Sequence, residues 1–238
     1  MKIKFALLGA LSEEVAAFKQ HLKQVKHVTW QEYEFWLGEL FGQPVVITKS
    51  GVGKVHAALV TQKIIDEYHP EAVIFTGVGG ALNPLFEIGD MVISNELVQH
   101  DFSAHPLFPR YTIPRFNRTD TFHLFLADAD LVQRAQQHTH SSQNVFVGKV
   151  LTGDQFLSRS QRAAHAHLTE ELQGDVIEME GAAVAQVCTV NQLPFVIIRT
   201  ISDKADDNAA IDFDAFLSRA AENSVGIVRT ILESYAKS

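Results

Sequence analysis

The sequence predicts an α/β fold: a single domain over residues 1–238, with a central mixed, mostly parallel β-sheet flanked by helices on both faces. Three observations carry this expectation. Short runs rich in β-branched residues alternate with helical patterns along the chain. Many of those runs are apolar throughout, as strands covered on both faces require. The length of 238 residues still suits one core, since single cores stop growing at roughly 250–300 residues.

The strands are predicted in order at 2–9 (KIKFALLG), 43–50 (QPVVITKS), 72–80 (AVIFTGVGG), 90–102, 144–154, 175–180 (DVIEME) and 194–203 (PFVIIRTISD). Helical patterns fall at about 54–67, 159–172 and 181–191, and a last helix runs from near Asp214 to Tyr235. Many strands end in polar or glycine-rich tips, GALSEE, KSGVG, TGVGG, LTGDQF, EMEG and RTISDKAD. Ligands of open α/β sheets bind outside such strand ends, so the tips are where a site is expected. Residues 103–118 break the rhythm with three prolines and three aromatic residues, which reads as a long loop serving as a lid or a subunit contact.

Composition excludes several classes. With 46% hydrophobic and 20% charged residues the chain is that of a globular protein. A net charge of −8 without a Lys/Arg cluster argues against nucleic acid as a partner. No run reaches the roughly 18–20 apolar residues of a membrane span, so no membrane partner is expected. The N-terminal apolar run meets Glu13 and Glu14 directly and reads as a strand, not a signal peptide; with Cys188 as the lone cysteine, a cytoplasmic setting follows. Cys188 itself falls on a small apolar helix face and reads as core.

Familiar cofactor motifs fail. SGVGKV at 50–55 has Thr48 and Val55 where a phosphate loop needs Gly and Ser/Thr, and GVGGAL at 77–82 has Leu82 where a dinucleotide loop needs its third glycine. The histidines show no compact ligand spacing, so neither a metal nor a cofactor is expected. His165 and His167, two apart on a predicted helix, are read as pointing to different faces into solvent. A G-x-S-x-G elbow is absent from the sequence.

Three acids remain at strand ends: Glu14, Glu180 and Asp203. Each alone fits the first turn or cap of a helix. Parallel strands of one sheet would bring all three to one rim, where unequal burial separates an acid from a base. Glycosyl cleavage needs that pair, one carboxyl protonating the leaving group and another activating water. A third carboxylate can hold sugar hydroxyls. If 175–180 is one strand, Glu178 and Glu180 share a side and Met179 takes the other, leaving Glu178 as a supporting neighbour.

The stretches GALSEEV (9–15), KSGVGKVHAA (49–58), TGVGGAL (76–82), GDMVIS (89–94), LTGDQFL (151–157), VIEMEGAAVAQVC (176–188), PFVIIRTISDKAD (194–206) and DFDAFLSRAAENS (212–224) resemble, nearly end to end and in order, the 5'-methylthioadenosine/S-adenosylhomocysteine nucleosidase family. The resemblance implies a nucleoside phosphorylase-like fold, a small-molecule nucleoside substrate and a homodimer. It implies Glu14 as the base activating water and Asp203 as the donor to adenine N7, with Ser202 supporting Asp203 and Arg199 near the water. It implies Phe156 stacking on adenine, Leu157 reading its edge through the backbone, and Glu180 with Met179 holding the ribose. Gly80 would let main chain approach the ribosyl site, while Leu11, Val78 and Phe213 would keep the surroundings apolar. Leu11, Val78 and Ser103 depart from common family residues, and the 103–118 loop, which in the family closes the partner's 5' pocket, is altered.

Two relatives share this fold, a purine nucleoside phosphorylase and an aminofutalosine or futalosine nucleosidase. Phosphorylases carry arginines where this chain has GALSEEV and FTGVGG, so water is favoured over phosphate. A non-catalytic nucleoside-binding module would be expected to lack Glu14 or Asp203.

Overall fold

The computed structural model describes residues 2–116, 120–139, 143–157, 165–204 and 209–236, without side chains at 209–215, 218 and 219. β1 (Phe5–Gly9) leads into α1 (Ser12–Lys19), then into the strands β2 (Lys23–Trp30), β3 (Tyr33–Leu40) and β4 (Gln43–Lys49). α2 (Lys54–Tyr68), β5 (Ala72–Ala81) and β6 (Met91–Gln99) follow. Beyond an irregular stretch come β7 (Ile113–Pro114), β8 (Thr121–Phe122), β9 (Phe125–Leu126), α3 (Ala129–Ala135), β10 (Val145–Thr152) and α4 (His167–Glu170). β11 (Val176–Glu178), α5 (Gly181–Val190), β12 (Phe195–Asp203) and α6 (Ala209–Ala236) complete the order.

Among the described residues, one ten-stranded mixed sheet runs β11-β10-β6-β12-β5-β1-β4-β3-β2, with β9 beside β6. β1 is parallel to both β4 and β5, and β12 is parallel to β5, so these strands finish at one rim. β11 pairs with β10 and also, antiparallel, with the end of β5, which curls that part of the sheet into a closed ring. The ring needs close backbone approach at Gly79, where a Cβ would lie 2.6 Å from Val176 Cγ1.

Side chains alternate across the sheet, and the core divides accordingly. Ala6, Leu8, Val73, Phe75 and Ile197 face α2 and α5, packing with Val60, Ile64, Val184 and Cys188. Phe5, Leu7, Ile74, Val196 and Ile198 face the other way, against Phe18 of α1, Leu131 of α3 and Val228 and Ile231 of α6. Each such aliphatic or aromatic side chain contributes about 1.5–3 kcal/mol on full burial. Helices cover both faces, as the continuous apolar strands require.

Several elements differ from expectation. β2 and β3 extend the sheet with antiparallel pairings that enlarge its mixed character. β2 is the exposed edge, and its Lys23 and Lys26 are the charges that keep an edge strand from pairing with other chains. α1 and α3 were too short for a helical period to register; α3 is capped by Asp128, which accepts from the Leu131 N–H at 3.0 Å. Of the helix expected at 159–172, residues 158–164 lie outside the described residues, and α4 accounts for His167–Glu170. α6 starts earlier than Asp214. The 103–118 loop is irregular apart from β7, with 117–119 outside the described residues.

Candidate active site

The shared rim of β1, β5, β11 and β12 opens into a cavity of about 520 Å³, within the range of small-molecule sites. Glu14, Glu178, Glu180 and Asp203 all reach its lining, so carboxylates from three distant parts of the sequence converge there: Glu14 after β1, the Glu178/Glu180 pair at the end of β11, and Asp203 at the end of β12.

Glu14 sits in the first turn of α1, whose N-cap residue Leu11 has no capping side chain. The Glu14 carboxylate folds back instead, Oε2 accepting from the N–H of Ala10 at 2.5 Å and of Leu11 at 2.9 Å, and Oε1 from that of Val78 at 3.2 Å. Helix-start and functional readings of this residue are therefore compatible. Burial pushes its pKa above the ordinary carboxylate range, opposed by Arg199 and by the N–H groups of Leu11, Val78 and Ala10. Gly77 makes room: a Cβ there would lie 2.8 Å from Glu14 Oε1 and 3.0 Å from Arg199 Nη1.

Glu180 occupies the N-cap position of α5 and accepts from the Gly53 N–H at 2.8 Å. Its pKa is raised by burial first and by the Glu178 charge second, against the pull of Arg199 and the Gly53 N–H. Here the strand reading of 175–180 is corrected. β11 ends at Glu178, and the chain bends at Met179, so side-chain alternation stops and Met179 and Glu180 line the same cavity. The physical reason is the start of α5, whose first N–H groups draw the chain out of the sheet: those of Glu180 and Gly181 donate to Glu178 Oε2 at 3.1 and 2.7 Å.

Arg199, 1% exposed, lies behind this wall, its guanidinium 4.3 Å from the centre of the Phe75 ring. Nη2 and Nε donate to Glu178 Oε2 at 2.5 and 3.2 Å, and Nη2 stands 3.9 Å from Glu180 Oε2. At the end of β12, Asp203 is 3% exposed and accepts from the Ser202 hydroxyl at 2.8 Å.

The remaining expected residues are mostly brought together. Leu11, Val78, Gly80, Phe156, Leu157 and Ser202 line the cavity with the carboxylates, Phe156 being 44% exposed at its mouth. Phe213 belongs to α6, but its side chain lies outside the described residues. Sequence reasoning missed Val52, Gln155 and Ile177, which also line the cavity. Val52 was visible as the apolar residue of the SGVGK turn.

The histidine reading also needs correction. His165 and His167 do not diverge into solvent: their ring centroids lie 5.6 Å apart, and both rings approach His100. His100 is 4% exposed, packs against Gly153, and is held by burial at a pKa of about 4. The helical spacing assumed for that pair does not apply, because α4 begins only at His167. Among the described residues no group of His, Cys, Asp or Glu is arranged to hold a metal ion, and no helix is long and apolar enough to cross a membrane.

A model of the phosphorylase superfamily matches residues 4–233. A 5'-methylthioadenosine/S-adenosylhomocysteine nucleosidase of Bacillus thuringiensis subsp. konkukian is 38% identical over 235 residues, 97% of this chain and 99% of the relative. The chain belongs to the phosphorylase superfamily, in its methylthioadenosine/S-adenosylhomocysteine nucleosidase family. A solved nucleosidase of this family from Neisseria meningitidis, in complex with methylthio-immucillin-A, superposes with a TM-score of 0.89 at 34% identity, covering 98% of this chain and 100% of that one. The futalosine hydrolase of Helicobacter pylori is also similar, with a TM-score of 0.88 at 29% identity, covering 98% and 99%. Relative to the family pattern, the four carboxylates and Arg199 stand in the motifs that carry the resemblance.

Proposed function

We propose that the protein hydrolyses the N-glycosidic bond of 5'-methylthioadenosine and S-adenosylhomocysteine, and of 5'-deoxyadenosine, releasing adenine and the 5-substituted ribose. The observation that carries this is the convergence of Glu14, Glu180 and Asp203 on one cavity. Water attacks the anomeric carbon as the bond to N9 breaks; Glu14 takes the water's proton and Asp203 delivers one to adenine N7. The raised pKa of Glu14 suits a base working near neutral pH. Ser202 orients Asp203, Glu180 accepts from the ribose hydroxyls, and Met179 packs on the sugar. Phe156 stacks on adenine while the Leu157 backbone reads its edge. Gly80 admits main chain to the ribosyl site, Leu11 and Phe213 are assigned to the apolar 5' pocket, and Val78 keeps the site apolar.

Water is favoured over phosphate because the carboxylates repel an anion and the buried guanidinium is already engaged by Glu178. Adenine release from methylthioadenosine, followed with and without phosphate, tests this: equal release is expected, and strict phosphate dependence makes the protein a phosphorylase. Preference for aminofutalosine over methylthioadenosine would move it to the futalosine branch.

The protein works as a cytoplasmic homodimer in this reading. Val52 in the turn before α2, Val55 and Leu59 on α2, and Val190 on α5 beside it are exposed, an apolar strip that begins at the cavity itself. Val55→Asp is expected to shift the protein to a monomer in sedimentation velocity; an unchanged dimer would place the interface elsewhere.

A further inference from the structure

The Glu178 carboxylate accepts from the Arg199 guanidinium, two backbone N–H groups and a hydroxyl, although it is 2% exposed as a side chain and has no role in the reaction just described. Oε2 receives the Arg199 guanidinium and the N–H groups of Glu180 and Gly181. Oε1 receives the hydroxyl of Thr152 on β10, and that same hydroxyl oxygen accepts from the Ala182 N–H at 2.8 Å. One carboxylate thus ties together β10, β11, β12 and the start of α5.

A helix cap alone would not need the arginine, and a counter-ion alone would not need the backbone. The combination has a geometric result. With Nε and Nη2 committed to Glu178, Nη1 donates to the Ile198 carbonyl at 3.4 Å and lies beside Gly77, where it and Glu14 Oε1 approach the same point within 3.0 Å. The backbone of Glu180 is pinned by the same oxygen, which sets where its carboxylate enters the cavity. We propose that Glu178 is a positioning residue for the hydrolysis, orienting Arg199 toward the Glu14 side of the cavity and fixing the turn that presents Glu180. This rests on the nucleosidase reading above.

Charged groups surround it from every side: Glu14 from α1, Glu180 from α5, and Arg199 and Asp203 from β12. Glu178→Gln keeps the shape and removes the charge, whereas Glu178→Asp keeps the charge and withdraws it from its partners. The readouts are kcat, KM and the pH profile of adenine release from methylthioadenosine. Both variants are expected to lose roughly 10²-fold in kcat, the scale of a small misplacement of reacting groups, with KM changed far less. In Glu178→Gln the acidic limb of the profile moves to lower pH, because the charge that hinders ionisation of Glu180 is gone and the arginine is no longer neutralised. Thr152→Val, which deletes only the hydroxyl bond, gives a smaller fall of the same kind and serves if the other variants do not fold. An unchanged kcat per folded molecule together with an unchanged pH profile, in whichever variant folds, overturns the proposal and leaves Glu178 a structural cap. Absence of adenine release by the unaltered protein sinks the nucleosidase reading and this inference together.

Discussion

On the sheet side of the cavity, Glu14, Glu178 and Glu180 are each held by backbone N–H groups, and none is more than 6% exposed. On the loop side stand Leu11, Val52 and Phe156, with Phe156 44% exposed and Val52 48% exposed. The first side is finished by the chain's own hydrogen bonds, and the second offers apolar surface that something else can cover. In the proposed reading, bond-breaking groups sit on parts that cannot shift independently, while contact with adenine and with the variable 5' end falls to parts that can differ between relatives.

Substitutions on the sheet side should therefore cost turnover and those on the loop side mainly affinity. The largest effect is expected from Glu14→Gln, a loss of roughly 10³–10⁴-fold in kcat, with binding of an unreactive adenosine analogue retained in calorimetry. Near-normal turnover would dismiss Glu14 as the base. Asp203→Asn should cost about 10²-fold in kcat as the N7 donor is lost; if the rate is untouched, another group protonates adenine.

Glu180→Gln separates function from stability. A carboxyl whose folded pKa lies above its unfolded value favours the fold most below the unfolded pKa, and that contribution is lost as pH rises through the folded pKa. Removing Glu180 should thus cost turnover yet raise the melting temperature at neutral pH, by ~2–4 °C for each kcal/mol recovered in a chain of this size, with the gain vanishing at acid pH. A lower melting temperature at pH 7 would contradict the direction of its shift. The smallest effect belongs to the loop side: Phe156→Ala should raise KM by about 10-fold, the scale of a lost aromatic stack, with kcat nearly intact. A kcat loss as large as that of Asp203→Asn would erase the distinction between the two sides.

The strands that build the rim were legible because their burial on both faces writes itself as continuous apolar runs such as FVIIRTIS. Glu14, Glu180 and Asp203 were legible because each is a charge abutting such a run. β2 was not, since an exposed edge strand, KQVKHVTW, has no apolar pattern to betray it. The centrality of Glu178 was hidden for another reason: its partners come from positions 152, 180, 181 and 199, and no local spacing encodes that meeting. His100 likewise looked like one scattered histidine until β6 and β10 brought it beside Gly153.

β12 carries Arg199, Ser202 and Asp203 on nine consecutive buried residues, held between β5 on one side and β6 on the other. Its amides can exchange with solvent only when the whole sheet opens, so they should report the slowest, global hydrogen-exchange rate of the molecule. Heat or denaturant would then remove activity and fold in one cooperative transition, with no partly opened form that keeps the sheet and loses the catalyst.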